Sequence, residues 1–222
     1  MSDVTSDDYP QEALATSAAV AEYFGPRLDA VSRFAEMLHD QGELRGLIGP
    51  REVPRIWERH ILNSAAVTQF LPTTGTIADI GSGAGLPGIV IAIMRPEAQV
   101  ILIEPMERRC AWLEEVVAEL GLTNVEIKRG RAEEFHDAFE CDAVTSRAVA
   151  GLDKLVRMSM PLVKSGGQMV VLKGKNVAQE IDPARKVLRK LRGREPEILE
   201  ASTVPGVEIT TVVRIVRQTG GR

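Results

Sequence analysis

The 222-residue sequence predicts an α/β protein in which a doubly wound, mostly parallel sheet follows an N-terminal helical extension. Three observations support this fold class. Apolar residues recur at steps of three and four through much of residues 12–75, as they do along helices. From Thr76 onward, short β-rich segments alternate with helical ones, a pattern typical of parallel sheets. A glycine-dense turn at residues 81–88 joins the first of these strands to the first of these helices.

Composition and charge narrow the class of protein. The net charge is −4, although residues 163–222 carry 12 Lys and Arg against 6 Asp and Glu, so any contact with nucleic acid must use a local patch. Cys110 and Cys141 match neither a disulfide framework nor a metal-ligand spacing, which suits a reducing cytoplasm. Residues 1–11 are acidic and polar, so we expect a disordered tail and not a signal peptide. The longest apolar runs are too short to span a membrane.

The predicted extension, residues 12–75, contains three helices. The first covers Glu12–Phe24 and the second covers Arg27–Gln41; each stops at a glycine. The third lies near Glu52–Phe70 and carries an apolar stripe with two polar members, which consists of Ile56, His60, Asn63, Val67 and Phe70.

Two features of the third helix leave alternatives open. His60 is either a core histidine bound to a backbone carbonyl or a functional group. Arg51, Arg55 and Arg59 recur at steps of four and form either a solvated face or a surface that contacts phosphates.

The glycine-dense turn is the strongest local signal. A strand over residues 76–80 leads into it, and an apolar helix starts near Leu86. Glycine has no Cβ to hold a ligand away, and the N-terminus of the helix should attract a partly anionic group. The frame Gly83-x-Gly85-x-x-Gly88 fits the dinucleotide fingerprint poorly, because Pro87 falls inside it. The frame Asp79-x-Gly81-x-Gly83-x-Gly85 begins directly at the strand end. A tight turn without a ligand is the third alternative.

Four further strands bring polar residues to the same sheet edge as this turn, because the carboxyl ends of parallel strands meet there. Gln99–Ile103 ends at Glu104, whose carboxylate could accept hydrogen bonds from both ribose hydroxyls of an adenosine. Asn124–Lys128 leads to Ala132 and Glu133, which could flank an adenine ring. Cys141–Ser146 leads to Arg147, which we expect to face the crevice, and Met169–Leu172 leads to Lys173 and Lys175.

The remaining predicted elements are mostly helical. A stripe from Met106 to Leu120 predicts a helix that buries Cys110, and Leu152–Pro161 predicts another. Asp182-Pro183 resembles a helix cap that opens Ala184–Leu191. Val207–Arg217 alternates well enough for a final strand.

The second glycine frame resembles motif I of the class I S-adenosylmethionine-dependent methyltransferases, and several separated segments are similar to one family among them, the bacterial RsmG (GidB) family of 16S rRNA guanine-N7 methyltransferases. These segments are Glu58-Arg-His-Ile-Leu-Asn-Ser64, Asp79-Ile-Gly-Ser-Gly-Ala-Gly-Leu-Pro-Gly88, Arg131-Ala-Glu133, Ser146-Arg-Ala148 and Leu172-Lys-Gly174.

The resemblance implies a Rossmann-like methyltransferase domain over residues 76–222, with a seven-stranded sheet. It implies S-adenosylmethionine as cofactor and a guanosine in the decoding-region loop of 16S rRNA as target, on naked RNA or on the small subunit. It also implies cofactor contacts at Gly81, Leu86, Ala132, Glu133 and Arg147. Asn63 and Glu104 stand where the family often has Asp. The loss of charge at Asn63 puts any role beyond helix packing in doubt.

The implied chemistry needs few catalytic groups. N7 of guanine has a free lone pair and no proton to lose, so positioning and desolvation can carry the rate without a general acid or base. We therefore assign Gly81, Gly83 and Leu86 to the methionine side of the cofactor, Glu104 to the ribose, and Ala132 and Glu133 to the adenosine. Arg147 is the positioning residue between cofactor and substrate.

RNA contacts are expected from basic residues near the crevice and from a basic helix near the C-terminus. The candidates are Arg51, Arg55, Arg59, His60, Lys173, Lys175 and the cluster Arg185–Arg194. We expect a monomer without metal. Two other functions are compatible with the pattern: an RNA-binding module with a vestigial pocket, and a nicotinamide-dependent oxidoreductase.

Overall fold

The computed structural model describes residues 11–147 and 149–220, so the predicted disordered tail lies outside it except for Gln11. The helices are α1 (Gln11–Ala15), α2 (Ala18–Phe24), α3 (Leu28–Gln41), α4 (Asn63–Ala66), α5 (Gly88–Met94), α6 (Glu107–Glu119), α7 (Leu152–Ser159) and α8 (Ala178–Lys190). The strands are β1 (Gly75–Ile80), β2 (Ala98–Glu104), β3 (Val125–Arg129), β4 (Cys141–Arg147), β5 (Val163–Lys173), β6 (Glu197–Ala201) and β7 (Thr210–Val216).

The seven strands form one sheet in the order β3-β2-β1-β4-β5-β7-β6. The first five are parallel, and β7 runs antiparallel to both β5 and β6. The predicted doubly wound, mostly parallel seven-stranded sheet is therefore confirmed. The order of the strands reverses beside β1, and the carboxyl ends of β1, β2 and β4 border the crevice that such a reversal creates.

Helices cover both faces of the sheet, because successive side chains of each buried strand point to opposite sides. On one face, Ile77, Leu102 and Val170 pack with α5, α6 and the N-terminal helices. On the other face, Ile80 and Val171 pack with α7 and α8. The helices before residue 75 thus share a single core with the sheet and form part of one of its layers.

Three predicted helices differ in detail. Ser17 breaks the first one, since its Oγ accepts a hydrogen bond from Val20 N and caps α2. The third consists of a π-helix over Ile56–Leu62, then α4, with short 3-10 turns before and after. The prediction for Asp182-Pro183 is wrong: α8 already begins at Ala178, and the Asp182 carboxylate bonds to Arg185 Nε at 2.8 Å instead of capping a helix.

Two aspartates hold the ends of β1. Asp142 Oδ2 accepts a hydrogen bond from Thr76 N at 2.8 Å, where the strand begins. Asp79 Oδ2, near its end, accepts one from Gly88 N at 3.0 Å, at the start of α5. The N–H of Gly88 at the start of α5 is therefore already bonded within the protein, and the partly anionic group expected there stays a prediction. A Cβ on Gly88 would overlap Leu102 and Asp79, which explains why glycine stands there.

Asp79 is completely buried, and burial raises its pKa to about 7. The charge of Glu104 adds to the rise, while Ser82, Gly88 N–H and Arg147 oppose it. Asp142 shows the opposite effect, because its bonds to Lys164 and Thr76 N hold its pKa below the usual value.

We expect Asp79 to make the protein less stable as pH rises from about 4 to about 7. An unfolded Asp loses its proton near pH 4, whereas the folded one keeps it until about pH 7. The folded state is therefore progressively disfavoured across that range, and no further above it. Asp79→Asn should remove this dependence while keeping an acceptor for Gly88 N–H. Urea unfolding at pH 5, 6, 7 and 8 measures the effect. The free energy of unfolding of the variant should rise relative to that of the wild type up to pH 7, by on the order of a few kcal/mol.

Asp142→Asn is the matched control. The pKa of Asp142 is lowered, so its contribution is present above about pH 4 and is lost only in acid. The difference in free energy of unfolding between Asp142→Asn and the wild type should stay constant from pH 5 to pH 8. The same constant difference for Asp79→Asn would contradict the assignment.

Candidate functional site

A crevice of about 540 Å³ opens at the carboxyl edge of the sheet. One wall consists of the glycine turn and the residues that follow β2 and β4. The opposite wall is the loop 47–49 of the N-terminal region together with Glu52 and His60. The site residues predicted from the sequence that line it are His60, Gly81, Gly83, Leu86, Glu104 and Arg147.

The backbone of the glycine turn forms the floor of the crevice. Gly81 and Gly83 have φ angles of 71° and 55°, which L side chains rarely adopt. Gly81 N and Ser82 N donate to the carbonyl of Ile103 at 2.8 and 3.1 Å, so the turn is fixed to β2. A Cβ on Gly81 would lie 2.9 Å from Val149, the residue that covers the turn from the β4 side. The peptide groups of the turn are thus held in place for close contact with a ligand.

Glu104 is buried at the end of β2 and organises the same turn. Its Oε2 accepts a hydrogen bond from Gly83 N and its Oε1 accepts one from Met106 N, both at 2.9 Å. Arg109 Nη1 lies 3.8 Å from Oε2. Because a carboxylate offers about four acceptor positions, two remain for hydroxyl groups after the backbone bonds.

Arg147, at the end of β4, ties the sheet to the N-terminal region. Its Nη1 donates to the carbonyl of Arg59 at 2.8 Å and to Asn63 Oδ1 at 3.3 Å, and its Nη2 donates to His60 Nδ1 at 3.0 Å. Burial lowers the pKa of Arg147 to about 10, while Asp79 and Glu52 counteract this, so the guanidinium stays charged at neutral pH.

His60 is neither bound to a backbone carbonyl nor exposed to solvent. Burial, followed by the charges of Arg147 and Arg59, lowers its pKa to about 4, and the ring is therefore neutral. Since Nδ1 accepts from Arg147, the ring proton lies on Nε2. That nitrogen has no hydrogen-bond partner, although it lies 3.3 Å from Glu52 Oε2.

Asn63 has a role beyond helix packing. Its Oδ1 accepts from Arg147, and its Nδ2 donates to Thr210 Oγ1 at 3.0 Å. The two polar residues of the predicted stripe, His60 and Asn63, therefore hold the same guanidinium.

A second set of contacts fixes the loop that forms the opposite wall. Arg45 pairs with Glu115 at 2.8 Å and lies over the ring of Trp112, 5.3 Å from its centroid. Trp112 Nε1 donates to the carbonyl of Ala84 in the glycine turn at 3.0 Å. The loop and the turn are thus held to the same helix, α6.

Ala132 and Glu133 lie on a short 3-10 turn after β3 and are not part of the crevice walls described above. Ala132 is buried in the core on the α7 side, and Glu133 is exposed. Their predicted contact with adenosine stays a prediction.

The predicted RNA contacts differ in their availability. Arg51 and Arg59 are exposed, and Arg59 lines a second cavity of about 310 Å³ beside the crevice. Arg55 bonds to Glu58 at 2.9 Å.

Lys175 is exposed and pairs with Glu208 at 2.7 Å. His60 is bonded through Nδ1 to Arg147 but keeps Nε2 without a partner. Lys173 is committed to the protein, since it is almost buried, pairs with Glu180 at 2.7 Å and donates to the carbonyl of Ala150 at 2.9 Å.

The basic part of the cluster Arg185–Arg194 lies at the other edge of the sheet. Gly193 bridges Arg217, and Arg194 N donates to the carbonyl of Val216, next to the amino end of the parallel part of β5. Arg189–Arg194 are therefore far from the crevice and cannot position a group within it.

Sequence reasoning missed the contributions of Glu52, Thr210 and the carboxylate of Asp79. Glu52 precedes the 3-10 turn Val53–Arg55 and Thr210 is the first residue of β7. Neither residue belongs to a motif, so no local signal could identify it. Asp79 was visible in the glycine frame, but only the structure shows its bond to Gly88.

No helix in the described ranges is both long and apolar enough to cross a membrane. Within the same ranges, no three His, Cys, Asp or Glu side chains converge as a metal site would require.

The chain matches the family model for GidB, rRNA small subunit methyltransferase G, over residues 27–204. It is 48% identical to the ribosomal RNA small subunit methyltransferase G of Renibacterium salmoninarum, over 90% of this chain and 94% of the relative. It is 49% identical to the protein of the same name from Leifsonia xyli, over 89% and 94% of the two chains.

Solved structures share the fold at much lower sequence identity. A putative O-methyltransferase from Klebsiella pneumoniae superposes with a TM-score of 0.59 at 14% identity, covering 86% of this chain and 90% of the other. M. jannaschii TYW2 in complex with AdoMet gives 0.57 at 17% identity, over 72% and 76%. The family model covers most of the chain and both named relatives are nearly half identical to it, so the chain belongs to the GidB family, rRNA small subunit methyltransferase G.

Proposed function

We propose that this protein transfers a methyl group from S-adenosylmethionine to N7 of a guanosine in the decoding-region loop of 16S rRNA. The observation that carries the proposal is the crevice itself, which joins the glycine turn, Glu104 and Arg147 and continues into a second cavity beside them. The names of the relatives support small-subunit rRNA as the substrate.

The crevice residues fit the cofactor. Gly81, Gly83 and Leu86, which line the crevice, would hold its methionine side. Glu104 keeps free acceptor positions for the ribose hydroxyls, and Ala132 and Glu133 would approach the adenosine. When bound, S-adenosylmethionine supplies an electrophilic methyl group on its sulfonium.

The position of Asp79 argues against a dinucleotide in the same place. A pyrophosphate would need the N–H groups at the start of α5, but Gly88 N already donates to Asp79. The buried carboxylate of Glu104, which is bonded to the turn, also favours a cationic ligand over an anionic one.

The residues around Arg147 suit a nucleophile that releases no proton. The basic nitrogen of His60 accepts a hydrogen bond from Arg147 and is not available to take a proton. Arg147 would therefore position the reactants, and His60 and Asn63 would orient Arg147. The cysteines of the described part, Cys110 and Cys141, are free and buried, which accords with a reducing cytoplasm, where we place the protein as a monomer.

Labelled S-adenosylmethionine and small subunits that lack the modification test the proposal. We expect incorporation of label into 16S rRNA at one guanosine of the decoding-region loop, identified as 7-methylguanosine after digestion. RNA binding without incorporation would instead indicate a binding module with a vestigial pocket. A spectral change at the reduced nicotinamide band, without a thermal shift by S-adenosylmethionine, would indicate an oxidoreductase.

Arg147→Lys should weaken both cofactor binding and turnover. Lysine keeps the charge but cannot bond to the Arg59 carbonyl and His60 with a rigid two-donor fork. Loss of one charge-assisted hydrogen bond should lower kcat/KM and cofactor affinity by roughly tenfold or more. Calorimetry and steady-state rates measure the two effects, with Arg157→Lys on the exposed face of α7 as the control. An unchanged rate at subsaturating cofactor would reject the role.

The salt dependence of RNA affinity distinguishes a contact at Arg59 from one at the basic cluster Arg189–Arg194. If RNA docks at the cavity beside the crevice, Arg59→Ala should reduce the slope of log K against log salt by about one. Arg189→Ala, at the other edge of the sheet, should leave it unchanged. The reverse result would move the RNA path to the far edge. Filter binding of small-subunit RNA between 50 and 200 mM salt, roughly the range over which such slopes are defined, provides the measurement.

A further inference from the structure

Glu52 and His60 lie where the crevice and the second cavity meet, and both residues line both spaces. Glu52 immediately precedes the 3-10 turn Val53–Arg55, but its side chain makes no capping hydrogen bond with it. Its side chain is instead 42% exposed and lines the junction of the two spaces. A group that enters the second cavity would therefore meet this carboxylate before it reached the crevice.

His60 supplies an unsatisfied donor at the same place. The residue is only 7% exposed, and its Nε2 has no hydrogen-bond partner. Because Nδ1 accepts from Arg147, Nε2 must carry the proton. A buried N–H without a partner is unfavourable, so an occupant that accepts a hydrogen bond there would be stabilised.

The donor and the acceptor lie side by side. His60 Nε2 and Glu52 Oε2 are 3.3 Å apart, but their orientation does not make a hydrogen bond between them. Each can therefore bond to a third group, and the pair presents one N–H and one carboxylate oxygen next to each other.

This arrangement complements one edge of guanine. O6 accepts and the adjacent N1–H donates, and N7 lies on the other side of O6. Adenine offers the reverse order, because its N6 amino group donates and its N1 accepts. We propose that His60 Nε2–H and Glu52 read O6 and N1–H of the target base, so that guanine is accepted with N7 directed towards the crevice and adenine is rejected. The inference rests on the proposed function and names its specificity-determining residues.

The rest of the cavity suits an unstacked nucleotide. Ile209 contributes an exposed apolar side chain to its wall, and Arg59 contributes a cation at its rim. An apolar surface can stack against a base and a cation can contact its phosphate. Arg147 lines both spaces and lies between the base and the glycine turn.

Base analogues at the target position provide the test. Small-subunit RNA with a ligated synthetic segment carries guanosine, inosine or 2-aminopurine riboside at that nucleotide. Inosine keeps O6, N1–H and N7, whereas 2-aminopurine keeps N7 and loses the other two. The wild type should methylate inosine within about threefold of guanosine and 2-aminopurine at least about tenfold more slowly, since a site built to bond O6 and N1–H disfavours a base that lacks both groups.

Glu52→Gln should lower kcat/KM for guanosine by roughly tenfold or more, the effect of one charge-assisted hydrogen bond. The ratio of kcat/KM for guanosine to kcat/KM for 2-aminopurine should also fall. A purely structural role of Glu52 would not change this ratio. Affinity for S-adenosylmethionine should change by less than about twofold, because the cofactor contacts we propose are made by the glycine turn, Glu104 and Arg147 and none is made by Glu52, although Glu52 lines the same crevice. Glu43→Gln, an exposed acid of the same region outside both spaces, is the matched control and should leave all three quantities unchanged.

The outcomes separate this inference from the proposed function. If the wild type does not methylate guanosine, the proposed function fails. If it does, and Glu52→Gln keeps the wild-type ratio between guanosine and 2-aminopurine, the assignment of Glu52 is overturned and the proposed function stands.

Discussion

The guanidinium of Arg147 is the contact on which the site depends. It leaves the end of β4 and binds a carbonyl, an amide oxygen and an imidazole nitrogen, all from residues 59–63. A planar group with several fixed donors suits this task better than a flexible ammonium. Because the three acceptors belong to a different layer from the strand, the guanidinium sets the width of the crevice between them. It also keeps His60 in one tautomer.

Ionisable side chains recur along the same edge of the sheet. Each central strand ends near an ionisable group: Asp79 in β1, Glu104 after β2 and Arg147 after β4. The carboxyl groups of Asp79 and Glu104 accept hydrogen bonds from backbone N–H groups of α5 and the glycine turn, so they shape the loop before any ligand arrives. Arg147 partly compensates the buried charge of Asp79. The acids thus build the floor of the crevice, and the cation connects it to the opposite wall.

Most of the sheet and the floor of the crevice could be predicted from the sequence, because these features have local causes. The cluster of glycines predicts the turn, where several of them adopt positive φ, and continuous apolar residues predict the buried strands. The edge strand β6 was not predicted, because four of its five residues are at least partly exposed and so form no apolar run. The stripe that holds His60 and Asn63 was visible, but their partner was not. Contacts between distant segments, such as those of Arg147, leave no local pattern, and Pro183 within α8 shows that a local signal for a helix start can lie inside a longer helix.

The bond between Asn63 and Thr210 joins segments 147 positions apart. Thr210 opens β7, which is inserted between β5 and β6 and is the last strand in the chain. A ribosome that is still making this protein has therefore released the glycine turn, His60 and Arg147 well before the strand that completes the sheet beside them. Loop closure over such a separation is slow compared with local folding. The bond that holds Asn63, and with it one acceptor of Arg147, therefore forms only after β7 has been synthesised.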